Sequence, residues 1–240
     1  MNWLVILIAA PLASFGEEPG NARRGSADRP TRSALLGLAG AALGIERADS
    51  DGQRALGDAF LTATRTLSPG APLSDFQTFQ SLPESKGPVA TRADALARRG
   101  ELETSITRRD YRSDGRWQAA YVSREGAAIS LESLREAFLR PHFALWAGRK
   151  SCPLAHPLAP FVVDADRVEV AFTAHVREAG LVDAGAATTV GLDARLAPPA
   201  GANVARRQRR PDEPGDRIRW HFSARDEVVF RMSAPGDPTQ

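Results

Sequence analysis

A chain of 240 residues, 42% hydrophobic and 25% charged with a formal net charge of +2, has the composition of a soluble globular protein and can bury one large core, or one core plus a small appendage. Its lone cysteine, Cys152, excludes an intrachain disulfide and any zinc site built from cysteines, and its simplest role is that of a small buried side chain. Of the 31 basic residues all but Lys86 and Lys150 are arginine; GC-rich coding accounts for such a bias, yet arginine is also the residue that forks onto phosphates and stacks on bases.

Trp3 to Ala13 is an apolar run with no Lys or Arg before it, too short to span a bilayer, so a buried strand over Asn2–Ala9 and a cytoplasmic protein are expected. Leu12–Gly16 then turns the chain into a Gly-, Pro- and charge-rich surface loop, Glu17–Arg29, whose Arg23 and Arg24 are placed to close over a ligand. Asp28 to Asp49 is the best punctuated stretch. Pro30 and Thr31 mark a helix start, Leu35, Leu36, Leu38, Ala39, Ala42 and Leu43 recur at helical spacing, and Gly44 sits at the C-terminal cap. Gly37, Gly40, Ala41 and Gly44 leave one face nearly bare, so something must pass close to it. Arg29 and Arg32 flank the free N–H groups of the first turn, which together form a candidate anion site.

A second short helix is expected over Gln53–Thr64, and a strand or turn over Arg65–Pro72. Asp75 to Asp110 is too polar to belong to the main core and reads as a projecting arm, with Lys86-Gly87-Pro88, a basic helical patch at Arg92–Arg99, and Arg108 and Arg109 at its end. Tyr111–Ser123 alternates as a strand, and Leu131–Leu139 is an amphipathic helix stopped by Pro141. Phe143–Ala147 reads as a short strand leading into Gly148-Arg149-Lys150-Ser151, where a glycine, two cations and a hydroxyl suit a phosphodiester backbone. Strands are expected at Val168–Phe172, Arg217–Phe222 and Glu227–Met232, with an irregular loop from Ala197 to Asp216 carrying Arg206-Arg207-Gln208-Arg209-Arg210. The order strand, helix, arm, strand, helix, strand is that of an α+β, ferredoxin-like unit over 1–160, followed by a small β-rich C-terminal extension over 161–240.

Several segments resemble one family. The Pro30–Arg47 stretch is similar to the PTRS-x-LLGL-x-x-A-x-LGI-x-R segment of the CasD family, the type I-E branch of the fifth CRISPR-associated family. Gly148 to Pro157 resembles its GR[RK]SCP-L-x-HP block, and Tyr111 to Asp114 its Y-L-x-D. Asp75-Phe76-Gln77-Thr78 and Pro11 to Gly16 are weaker matches, with Gln77 in place of a His and Ala10, Ala13 and Phe15 in place of Gly, Gln and Trp. The resemblance implies an RNA-recognition-type (RAMP) fold whose arm, 75–110, is a thumb. It also implies a non-catalytic Cascade subunit that caps the 5′ handle of CRISPR RNA (crRNA), meets the CasC backbone and the large CasA subunit, and reaches target DNA only through the assembled complex. Cleavage would fall to CasE, and neither cofactor, metal nor membrane is implied.

The candidate RNA-contacting set is Arg23, Arg24, Arg29, Thr31, Arg32, Ser33, Gly37, Lys86, Arg108, Arg109, Arg149, Lys150, Ser151 and His156. The alternative is a metal-independent endoribonuclease acting on repeat RNA, as in the type I-C branch, with His142, His156, His175 or His221 as base. No HExxH, P-loop or GxSxG signature is present, and Asp164 and Asp166 read as a turn before a strand rather than a metal site.

Overall fold

The computed structural model describes residues 1–19, 22–181, 188–219 and 221–232. In chain order the strands are β1 (Asn2–Ala13), β2 (Gly16–Pro19), β3 (Arg23–Ser26), β4 (Phe60–Ser68), β5 (Ala71–Ser81), β6 (Glu103–Ser123), β7 (Phe161–Asp164), β8 (Thr188–Asp193), β9 (Asn203–Pro214) and β10 (Phe222–Met232). The helices are α1 (Arg32–Leu43), α2 (Ser50–Ala59), α3 (Arg92–Ala97), α4 (Leu131–Leu139) and α5 (Val168–Glu178). The sheet is built around β6. Its C-terminal half pairs antiparallel with β1 on one edge, from Trp3↔Val122 to Ala13↔Arg112, and with β4 on the other. Its N-terminal half pairs with β5, from Ala71↔Ser113 to Ser81↔Glu103, making a two-stranded ribbon exposed along most of β5.

Alternation along the strands explains the core. Leu4, Ile6, Ile8, Trp117, Ala119 and Tyr121 face α1 and α4, whereas Trp3, Val5, Ala120, Val122, Val190, Leu192 and Phe230 face α5. Because both faces of β1 are covered, it reads as an unbroken apolar run rather than an alternating one. β7 joins the sheet beside β1, and β8, β10 and β9 continue it beyond β4. Residues 161–232 thus supply strands at both ends of the sheet. No helix among the described residues is long and apolar enough to cross a membrane.

Thr31 caps α1 through the Ala34 N–H at 3.2 Å, and Gly44, at φ 78°, closes it. The bare face is covered by the chain itself. A Cβ on Gly40 would stand 3.2 Å from Leu56 of α2, and one on Gly37 would stand 3.7 Å from the Arg217 guanidinium.

Five local expectations are corrected. Val168–Phe172 opens α5, where Val168, Ala171, Phe172, His175 and Val176 are buried at helical spacing. The Ala197–Asp216 loop contains β9, a strand whose exposed Arg-rich sequence lacks apolar alternation. Arg217–Arg219 is a turn, and β10 begins only at Phe222. Phe143–Ala147 is irregular, with one bridge between Trp146 and Pro153. Finally, α2 ends at Ala59, where the chain passes into β4 with six successive buried residues.

Candidate nucleic-acid interface

The cations expected at the start of α1 lie inside the molecule. Arg29 and Arg32 are each 1% exposed. Arg29 pairs with Asp28 at 3.1 Å and with Glu227 of β10. Arg32 donates through Nε to Glu213 at 2.8 Å and through its two terminal nitrogens to the carbonyls of Phe60 and Gly57. One N–H of the first turn meets Asp212, whose Oδ2 accepts from the Arg32 backbone at 2.9 Å. A carboxylate of β9 therefore occupies the helix-terminal anion site, which corrects the expectation that Arg29 and Arg32 present it to a ligand. Thr31 is buried as the cap, Ser33 accepts from Arg217 through its carbonyl at 3.0 Å, and Gly37 lies under the same guanidinium.

These contacts belong to a network whose side chains are buried at Arg29, Arg32, Arg225, Asp212 and Glu227 and open to solvent at Arg195. Arg225 bonds Asp212 at 2.7 Å and Glu227 at 3.3 Å, and Arg195 bonds Asp193 at 2.7 Å and Glu213 at 3.0 Å. Burial pushes the Glu227 carboxyl up, but Arg29, Arg210 and Arg225 outweigh it and hold the group below its usual range. Arg29 reaches Glu227 by lying across β8 at Gly191, where a Cβ would stand 2.7 Å from Arg29 Nε. Paired guanidinium and carboxylate groups of this kind hold secondary structure together, although Arg29 Nε and Arg225 Nη1 are buried without a hydrogen-bond partner.

A different group of the expected cations comes together outside. β3 runs parallel to β6 over two residues, which sets Arg23 opposite Arg108 and Arg24 opposite Arg109. Arg149 joins them: its Nη2 donates to the Arg24 carbonyl at 3.2 Å and its guanidinium lies 4.9 Å from the Tyr111 ring centroid. The turn before it depends on Gly148, at φ 96°, where a Cβ would collide with the Ser14 carbonyl oxygen. The segments Pro11–Gly16, Tyr111–Asp114 and Gly148–Ser151 thus meet at one place.

Like charges set opposite one another on neighbouring strands are unfavourable unless something neutralises them. Arg23 has Asp110, at 2.8 Å. Hydrogen bonding from Ser74, with Arg23 adding to it, holds that carboxyl below its usual range. Among the described residues Arg24, Arg108 and Arg109 have no carboxylate in ion-pair reach; Arg109 Nε and Arg149 Nη1 are buried without a partner, as are Arg29 Nε, Arg217 Nε and Arg225 Nη1 elsewhere. Arg108 instead stands 6.0 Å from the ring centroid of the half-exposed Phe76. Lys150, Ser151 and His156 are exposed beside the turn. Lys86 lies in a short turn, Glu84–Lys86, far along the ribbon from this cluster, and its side chain is outside the described residues.

His175 is fully buried, bonded to Gln118 at 2.9 Å and to the Ala159 carbonyl at 2.8 Å, and burial lowers its pKa. It therefore ties α5 to β6. No group of three or more His, Cys, Asp or Glu among the described residues is arranged to hold a metal ion. Sequence reasoning missed the carboxylates Asp212, Glu213 and Glu227; the mixed-charge runs Arg210–Glu213 and Arg225–Glu227 were their only signal.

Comparison with known proteins shows the family. The family model for the CRISPR-associated protein (Cas_Cas5) matches residues 3–227. The chain is 32% identical over 158 residues to the CRISPR system Cascade subunit CasD of Escherichia coli (strain K12), covering 65% of this chain and 69% of that protein. Among solved structures, a chain of a CRISPR RNA-guided surveillance complex superposes with a TM-score of 0.65 at 22% identity, over 98% of this chain and 91% of the other. A crystal structure of a Cas protein gives 0.60 at 21%, over 97% and 95%. These two share the mixed helix and antiparallel sheet fold. The match along nearly the whole chain, and the identity to a Cascade subunit, establish that this chain belongs to the CRISPR-associated Cas5 family, the family of CasD.

Proposed function

We propose that the chain is the subunit of a type I-E Cascade complex that holds the 5′ handle of crRNA, without cleaving it, and that the handle lies on Arg23, Arg24, Arg108, Arg109, Arg149, Lys150 and Ser151. The observation that carries this reading is the parallel register of β3 and β6, which lines up four arginines, three of which have no carboxylate in reach among the described residues. A phosphate backbone supplies the negative charge that the described residues around these arginines do not. Contacts to phosphate fix register and leave sequence reading to base pairing between guide and target. On this reading the ferredoxin-like, RAMP-type unit is the β1–β6 part of the sheet, and the β5–β6 ribbon with α3 is a thumb lying against the CasC backbone. The CasA subunit docks nearby, and target DNA is met only in the assembled complex.

The test is assembly with a CasC-type subunit and guide RNA. Wild-type protein is expected to co-purify with both and to leave the RNA at its original length. Arg24→Gln with Arg149→Gln is expected to lower the slope of log affinity against log salt by about 1.4, at about 0.7 for each single-strand phosphate no longer neutralised. An unchanged slope would overturn the assignment of these residues, and shortened RNA would favour the nuclease alternative.

A further inference from the structure

A cleft of about 600 Å³ opens between the β2–β3 segment and β9, with Arg23 on one wall and Arg206 and Arg209 on the other. β9 is the last strand of the sheet on this side. Among the described residues the acidic groups lining the cleft are already engaged: Asp28 by Arg29 at 3.1 Å, Asp110 by Arg23 at 2.8 Å, and Asp212 by Arg225 at 2.7 Å. The cations on β9 are not matched in the same way. Arg206 is exposed with no carboxylate partner among the described residues, and Arg209 reaches Asp226 only at 3.7 Å with both side chains more than 70% exposed. Such a solvated pair contributes little and yields readily to a better anion. The buried part of β9 is electrically closed and its exposed part is left positive.

We propose that this cleft is a second polyanion site, which takes the sugar–phosphate backbone of a single-stranded nucleic acid other than the guide. Arg206 and Arg209 stand three residues apart along β9, ~10 Å on an extended strand, with Arg23 across the cleft from them, so the contacts available are to a charged backbone and not to its bases. Arg23 stands at the junction of the two surfaces, so the second strand leaves the molecule beside the guide. The inference goes beyond the handle-binding reading and depends on Arg206 and Arg209, which that reading does not use; Arg23 alone is common to both.

Salt titrations of a labelled short oligothymidylate and of the guide RNA, on the full chain, separate the two. Arg206→Gln with Arg209→Gln is expected to lower the oligothymidylate slope by about 1.4 and to leave the guide slope unchanged. Arg24→Gln with Arg149→Gln is expected to do the reverse. Arg207→Gln, an exposed cation on the same strand that does not line the cleft, is expected to shift either slope by less than about 0.7, the value of one phosphate. The proposal is overturned if wild-type protein fails to bind oligothymidylate, if all three variants lower the slope equally, or if only the Arg24 and Arg149 pair matters. If the guide slope alone is insensitive to Arg24 and Arg149, the handle reading fails and the cleft stands. Arginine on an edge strand also blocks unwanted strand pairing. Should the glutamine pair aggregate, Arg206→Glu with Arg209→Glu keeps the edge charged and is expected to abolish oligothymidylate binding; retained binding would overturn the proposal.

Discussion

Arg29 and Arg24 stand five positions apart and have opposite fates, because one finds a carboxylate and the other does not. Glu227 is 3% exposed and faces Arg29, Arg210 and Arg225, so Glu227→Gln removes one counter-ion from each of three guanidinium groups at once. Urea denaturation is expected to show a loss of about 3–5 kcal/mol, the cost of breaking a buried pair from one side. Replacing Arg29 and Glu227 together by Met is expected to cost less than the sum of the two single changes. Gly191→Ala, which would press a methyl group against Arg29, is expected to cost about 1–3 kcal/mol by the same measurement. None of this was legible from the neighbourhood of α1. A helix start flanked by arginines predicts an anion, and the anion was there; that it is Asp212 of β9 depends on a contact 180 residues away in sequence.

At the scale of elements, α5 is held to the sheet by His175 as well as by apolar packing. The imidazole is buried and its pKa lowered from 6.5 by that burial, partly opposed by the bond to Ala159. The unfolded chain therefore binds a proton more readily than the folded one. Stability is full above pH 6.5 and is expected to fall as the pH drops below it, down to the depressed folded value. Thermal unfolding between pH 7.5 and 5 checks this, and His175→Leu is expected to flatten that dependence while lowering stability throughout. At lower pH a second loss is expected as Glu227 and Asp193, both held below their usual ranges, take up protons. Helices with caps and long periodic faces, α1 and α4, were readable because each carries its own start and stop signals. α5 and β9 were not: five apolar-leaning residues suit a strand as well as a helix, and an edge strand that buries little need not alternate.

For the molecule as a whole, the strands after residue 160 pair with β1 at one end of the sheet and β4 at the other. Tryptophan fluorescence and far-ultraviolet dichroism are therefore expected to report one coincident unfolding transition in urea; two separated transitions would mean that 161–240 folds apart. The segments that announced the family were visible in sequence, and three of them do converge, at Ser14, Tyr111 and Gly148. Which of their cations remain available to a ligand was settled by pairing across the sheet, and no local pattern records that. The same pairing sets a timetable for synthesis. Arg29 and Arg32 leave the ribosome 198 and 181 residues ahead of Glu227 and Glu213. Until the β9–β10 hairpin emerges, the nascent protein carries both charges without Glu227 and Glu213, so this part of its interior closes only after those strands have been made.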